Sequence, residues 1–375
     1  MPSQEHWSVL PRPLLVLMSD TLESAVAVVI GPDYLDAFAS NIAAGLRSWG
    51  ISTAVIDPNS GFTRPGTLDA YSPYGALMGQ VVRRMRPARR LLVDRPVERA
   101  LRQSAPKLVI CVWSAFTPYQ IERWRKLTPA ATWVFWYPDH LANLGSHRAL
   151  LAPYDHFFFK EPHLVDLLAS RTRLPVHMLA DACNPAHHHT QTPVSEEERR
   201  RYDCDVAVAG NLYPYRLLVM AGIPDDVTLH IYGNPRGGAP PGFDRIARAI
   251  TREYVAGRTK ALAFGGARIV LNTMHYAEIR GVNARLFEGT ACGGFVLSHT
   301  GLEIDTYFKP GTEIATFDSQ AELADAIHHY LKADDERRSI AQAGQARAHR
   351  DHTYRRRLEQ LLEIVGLHEQ LCARK

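Results

Sequence analysis

The chain has 375 residues, 46% of them hydrophobic and 22% charged, an ordinary globular mix that is too long for a single hydrophobic core. A formal net charge of +4 is small for this length and makes no general case for a nucleic-acid partner. Five cysteines, an odd number with no C-x-x-C pair, argue against a disulfide framework or a zinc site and suit a reducing cytoplasm.

The opening MPSQEHWSVLPRP, with an acidic residue, an early tryptophan and prolines, does not read as a secretory leader. The apolar stretch behind it is broken by Asp20 and Glu23. No uncharged run reaches the roughly 18–20 residues of a membrane helix. The expectation is a cytoplasmic protein whose membrane contact, if it has one, is peripheral. AVAVVIG (25–31) reads as a buried strand, 34–50 as a helix stopped at Gly50, and ISTAVID (51–57) as the next strand. PKLVICVW (106–113), ATWVFWY (131–137) and DHFFFK (155–160) are further strands, with helices starting near Pro118 and Pro162. Runs apolar on both faces, separated by helices, specify a parallel sheet covered on both sides.

Residues 180–203, rich in Pro, His, Thr and charge, interrupt the pattern. Strands then resume at 204–210, 226–233, 267–272 and 294–298, and the block from Gln320 onward is helical. The fold class is α/β, with two Rossmann-like domains facing across a cleft. The divisions are 1–185, a linker at 186–203, 204–350, and a C-terminal helix at 351–375.

Several stretches carry candidate chemistry. IGPDY (30–34) is a strand-to-helix turn over the cleft, where Gly31 and Asp33 could face a ligand; a tight connection explains it as well. It is not G-x-G-x-x-G, so no dinucleotide cofactor is expected. RRMRPARRLLVDRPVERALR (83–102) holds eight arginines against Asp94 and Glu98. A solvated helical face, an acidic acceptor and an anionic membrane surface all fit it. The scarcity of aromatics argues against nucleic acid. YPDHL (137–141) places Asp139 and His140 at a strand end, where either could act as the base for an acceptor hydroxyl; a Pro-Asp turn bonding its own backbone is the alternative. The histidines 187–189 point in different directions along the linker, and no metal site is expected.

NARLFEGTACGGFVLS (283–298) reads as a helix with Asn283 at its N-cap. Its N-terminus offers free N–H groups to a phosphate. Glu288, one turn in, can accept hydrogen bonds from vicinal ribose hydroxyls. Arg285 and Glu288 share a face, so a surface ion pair is the plain alternative.

This stretch, with F-x-x-G-x-E (308–313), HTYRRR (352–357), DVAVAGNLYPYR (205–216) and LHIYG (229–233), resembles the C-terminal half of GT-B glycosyltransferases, and within them the spore-maturation CgeB-like group. The resemblance covers roughly 200–365. It implies an acceptor-binding first domain, a donor-binding second domain and a terminal helix that crosses back to the first, with the nucleotide-sugar donor held by Glu288 on the ribose, Arg216 facing the diphosphate, and Gly210, Asn211, Gly233 and Asn283 around the pocket; Arg285 fits the motif by residue type, and an outward-facing arginine is its alternative. It implies no metal and no other cofactor, and leaves the acceptor unknown. Arg280 stands where many retaining members carry the first glutamate of E-x7-E, so the retaining type does not follow. A GT-B-shaped sugar-nucleotide epimerase and a non-catalytic nucleotide-sugar or glycan binder are the alternatives.

Overall fold

The computed structural model describes residues 25–60, 73–144, 148–190, 194–233, 240–251, 253–301 and 303–372. The reading of the first 24 residues lies outside these.

Eleven strands are described: β1 (Ala27–Ile30), β2 (Thr53–Ile56), β3 (Leu108–Cys111), β4 (Thr132–Tyr137), β5 (His156–Phe159), β6 (Val176–Met178), β7 (Cys204–Ala209), β8 (Leu229–Tyr232), β9 (Ala267–Asn272), β10 (Val296–His299) and β11 (Ala315–Phe317). They form two all-parallel sheets, β2-β1-β3-β4-β5-β6 and β11-β10-β9-β7-β8. Both are doubly wound. The direction of winding reverses between β1 and β3 in the first sheet and between β7 and β9 in the second, and ligands bind beyond strand ends at such points.

The apolar runs become strands because both of their faces are buried. Val28 and Ile30 point into one core layer, Ala27 and Val29 into the other. β6 and β11, which the sequence reading omits, are three-residue edge strands too short to show a buried run. Helices begin where local chemistry satisfies their free N–H groups. At Pro118–Arg125, Thr117 and Gln120 form a capping box with Pro118 in the first turn.

The chain returns to the first domain at its end. Cys183 and Thr353 form a parallel bridge, and the helix Tyr354–Ile364 places Tyr354, Leu358, Leu361 and Leu362 in the core layer of the first sheet. Gly45 makes room for Leu358, since a Cβ there would lie 2.6 Å from its Cδ1. Burying these side chains ties the second domain's last helix to the first by the hydrophobic effect, at roughly 1.5–3 kcal/mol per large apolar residue.

Candidate active site

Beyond β7, Gly210 takes φ +110, a backbone shape that suits glycine. A Cβ there would lie 2.6 Å from Arg285 Nη1 and 3.0 Å from Arg216 Nη1, so two guanidiniums meet over this one peptide. Gly233, at the end of β8, lies against the same peptide: its Cβ would be 2.5 Å from the Gly210 carbonyl oxygen.

Arg216 is fully buried. Its Nε donates to Thr273 Oγ1 at 2.7 Å and its Nη1 to the Asn211 carbonyl at 2.9 Å, and the ring of Tyr213 packs on its guanidinium. Thr273 follows β9, so the arginine straddles the switch point of the second sheet. Burial, with Arg285 beside it, pulls the Arg216 guanidinium down to about 9. Among the described residues neither arginine has a carboxylate at ion-pair distance, and Arg285 Nε is buried without a hydrogen-bond partner.

The helix Ala284–Ala291 starts beside this pair, with Asn283 at the N-cap position. The Asn283 side chain does not cap. Its Nδ2 donates to the Thr273 carbonyl at 3.1 Å and its Oδ1 is buried and unpartnered. The helix end therefore keeps N–H groups that no capping side chain covers. Two cations and a helix N-terminus facing one spot are what an anion requires.

Glu288 is not solitary. Its Oε1 pairs with Lys260 Nζ at 3.0 Å, and Lys260 also pairs with Asp36 of the first domain. Asp36 in turn meets His188 Nε2 at 3.0 Å and accepts from Asn41 Nδ2 at 3.0 Å. Burial pushes the Asp36 carboxyl up, but Lys260, His188 and Asn41 outweigh it and hold it well below the usual carboxylate range. Burial pulls the Lys260 ammonium down; Glu288 and Asp36 outweigh that and hold it above its ordinary value. Asp36 adopts φ +67, a strained shape for a non-glycine residue that these bonds over-determine. Asp36 and Lys260 carry no sequence signal. They lie in different domains, and only folding pairs them.

A second ionic layer joins the domains. Lys160, at the end of β5, reaches Glu278 at 2.7 Å and Asp181 at 3.5 Å. Burial pushes the Asp181 carboxyl up to about 6 against the pull of Lys160. Glu161 accepts backbone N–H groups from Ile279 (2.9 Å), Arg280 (3.0 Å) and Gly281 (3.1 Å), clasping that loop of the second domain. Arg280 itself pairs with Asp166 and Glu303.

His140 stacks flat on His275 across the cleft, with centroids 3.8 Å apart and planes at 4°. Its Nδ1 is buried and unpartnered, and its Nε2 lies 3.7 Å from Asp139 Oδ1. Asp139 is 47% exposed and already accepts from the His140 N–H at 2.8 Å and Asn143 Nδ2 at 2.6 Å. Asp33 accepts from Ser40 Oγ at 2.9 Å. Gly31 is buried, and a Cβ there would run into Val112 and Ala39, so the missing side chain makes room for packing within the first domain. The histidines 187–189 do take separate partners: His188 faces Asp36, while His189 Nδ1 faces the Thr190 carbonyl. Asp36, His188 and Glu288 have ligand atoms within 4.8 Å of one another, but Lys260 pairs with both carboxylates. The structure thus brings Gly210, Arg216, Gly233, Asn283 and Arg285 together, sets Glu288 beyond them on Lys260, and keeps Asp139, His140, Gly31 and Asp33 on the first domain.

The arginine-rich segment is helical, through Pro73–Arg84, Arg86–Arg89, a π turn at Arg90–Asp94, and Arg95–Ser104. Its two acids are committed: Asp94 to Arg123 at 2.7 Å and Gln120 at 2.6 Å, Glu98 to Arg123 at 2.7 Å and to Arg90. No helix among the described residues is long and apolar enough to cross a membrane.

Comparison with known proteins bears on the whole of this architecture. Residues 200–363 match the model of a family described as Glycosyl transferase-like. No curated protein matches the chain. Among solved structures, sucrose-phosphate synthase from Thermosynechococcus elongatus superposes with a TM-score of 0.65 at 12% identity, covering 94% of this chain and 100% of the other. HepE from Anabaena, solved in complex with UDP and glucose, gives 0.58 at 12% identity over 91% and 99%. A glycosyltransferase from Rickettsia africae gives 0.58 at 10% identity over 94% and 100%. At such identities the likeness speaks for the fold. The chain is thus a GT-B protein of two Rossmann-like domains, and its second domain matches the Glycosyl transferase-like family.

Proposed function

We propose that the protein is a glycosyltransferase that moves a sugar from a nucleotide-sugar donor to an acceptor, with the donor on the second domain and the acceptor on the first. The observation that carries this reading is the convergence of Arg216 and Arg285 over Gly210, beside an uncapped helix start and, among the described residues, without an acid at ion-pair distance. The family match of the second domain and the UDP complex of a protein of like fold support it. The motif order supports closer kinship with the CgeB-like group.

In this mechanism the acceptor oxygen attacks the anomeric carbon and forms the new C–O bond. The bond from that carbon to the diphosphate oxygen breaks, and its electron pair leaves with the diphosphate. The growing charge there is met by the two guanidiniums and the N–H groups of the helix start, all in place before reaction. The ribose hydroxyls donate to Glu288, whose other oxygen Lys260 anchors. Asp139 or His140, just beyond β4, takes the acceptor proton. Lys260 supplies the positive charge between Asp36 and Glu288, and we propose that the reaction needs no metal; chelation by EDTA should leave turnover unchanged.

Calorimetry with UDP-glucose tests the donor reading. Glu288→Ala should abolish measurable binding, and unchanged binding would refute the ribose role. Product analysis over a panel of acceptors then tests transfer. Tight donor binding with neither transfer nor hydrolysis would favour a non-catalytic binder.

The arginine-rich face belongs to the same proposal, with an anionic membrane surface as its partner. Leu77 (59% exposed), Val81 and Met85 recur every fourth residue, beside exposed Arg84 and Arg86. An apolar ridge flanked by arginines suits the headgroup region of an anionic bilayer.

A further inference from the structure

We propose that a cavity on the first domain is a subsite for an anionic group, a phosphate or a carboxylate, carried by the acceptor. The acceptor part of this rests on the glycosyltransferase reading. The cavity has a volume of about 120 Å³ and lies at the carboxyl ends of β2 and β3, lined by Asn59 after the first and by Trp113 and Phe116 after the second. β1 runs between those strands, so the cavity lies beside the switch point, which falls between β1 and β3. It is the counterpart, on the acceptor half, of the Arg216 site on the donor half.

The wall shows what the cavity wants. Trp113, Phe116 and Val93 supply apolar faces. The polar groups are already engaged. Gln120 Oε1 accepts from the Thr117 N–H at 3.0 Å and its Nε2 donates to Asp94 at 2.6 Å, while Asn59 bonds Asp57. Arg89 is different. It stands just before the π turn, a device that recurs at functional sites. Its Nε is buried with no hydrogen-bond partner, and among the described residues its side chain has no ion pair. The acids nearest in sequence, Asp94 and Glu98, are held by Arg123, Gln120 and Arg90. A cationic N–H left unmet beside apolar walls is costly, and an anion relieves it through charge-assisted hydrogen bonds. Cavities of about 150 Å³ hold one benzene ring, so this one admits a single charged group or part of a sugar ring. Trp113 lines the cavity and adds apolar surface for such a ring.

The test is thermal shift and Trp fluorescence with glucose 6-phosphate, glucuronate, glucose and inorganic phosphate, on wild type, Arg89→Gln, Arg89→Lys and Trp113→Phe. UDP-glucose is run alongside. Wild type should respond to glucose 6-phosphate or glucuronate at least tenfold more tightly than to glucose, and more tightly than to inorganic phosphate. Arg89→Gln should lose that response and keep the UDP-glucose shift; Arg89→Lys should keep a weakened form of it. Trp113→Phe should lose the fluorescence change and keep the thermal shift. Equal responses of wild type and Arg89→Gln would overturn the site. A response to inorganic phosphate as strong as to the sugar acids would overturn its acceptor role. Loss of the UDP-glucose shift in wild type would instead count against the glycosyltransferase reading, leaving the anion site standing.

Discussion

Two of the groups of buried charge between the domains are built on opposite plans. Lys260 lies between Asp36 and Glu288, one cation against two acids, with His188 completing the set. Arg216 and Arg285 lie side by side, and among the described residues no acid stands at ion-pair distance; Glu278, the acid that acts on both, is itself paired with Lys160. The first arrangement is closed: its charges satisfy one another and hold the domains together. The second is open: like charges held together raise the energy of the empty site and favour whatever anion enters it. Balanced charge holds the domains together even where one member, Glu288, also serves the ligand in the proposed reading, whereas charge left unbalanced in a buried site favours an incoming anion.

The largest effect should come from breaking the closed set. Lys260→Met leaves two carboxylates facing each other and should cost about 3–5 kcal/mol of stability, read by urea unfolding. Adding Glu288→Gln should recover part of that loss; a double variant no more stable than the single one would show that the set is not mutually balanced.

The neighbouring ionic layer gives a pH test with a definite sign. Asp181 sits at about 6 when folded, against roughly 3.9 for an unfolded aspartate. The folded state thus binds more protons between those values. This contribution to stability is fully present below about pH 4 and is lost as pH rises to about 6, by at most roughly 3 kcal/mol. Asp181→Asn should flatten that part of the stability profile, and an unchanged slope would remove Asp181 as its source.

The open pair should respond in the opposite sense from Lys260. Arg285→Met relieves like-charge repulsion, so the ligand-free protein should be no less stable. UDP-glucose binding should weaken by about 1.5–3 kcal/mol, the scale of hydrogen bonds to charged groups. A stability loss with unchanged binding would make Arg285 structural and collapse the contrast.

The smallest effect concerns the outer arginines. Leu77→Glu with Val81→Glu should leave UDP-glucose binding unchanged and reduce co-sedimentation with anionic vesicles severalfold, with zwitterionic vesicles as the control. Equal sedimentation of both proteins would return this face to an ordinary solvated surface.

The sheets were readable in the chain because AVAVVIG, PKLVICVW and ATWVFWY are apolar on both faces and end at helix starts. The short edges β6 and β11 were not, since three residues carry no period. In the site, Glu288 and Arg285 could be singled out from the helix that follows Asn283, and Arg216 only through the order of motifs around it. The capping residue Asn283 was located, but its amide turned to the Thr273 carbonyl, a partner on another strand end.

The sequence by itself determined two parallel α/β domains, because burial of both sheet faces is written in local hydrophobic runs. It also determined which helix carries Glu288. The tertiary structure alone decided which charges meet. Asp36 finds Lys260, Lys160 finds Glu278, and Glu161 finds the 279–281 backbone across a domain boundary. Among the described residues Arg216, Arg285 and Arg89 have no acid at ion-pair distance. Ion pairing depends on distances of a few ångströms between residues far apart in the chain, which no local pattern encodes.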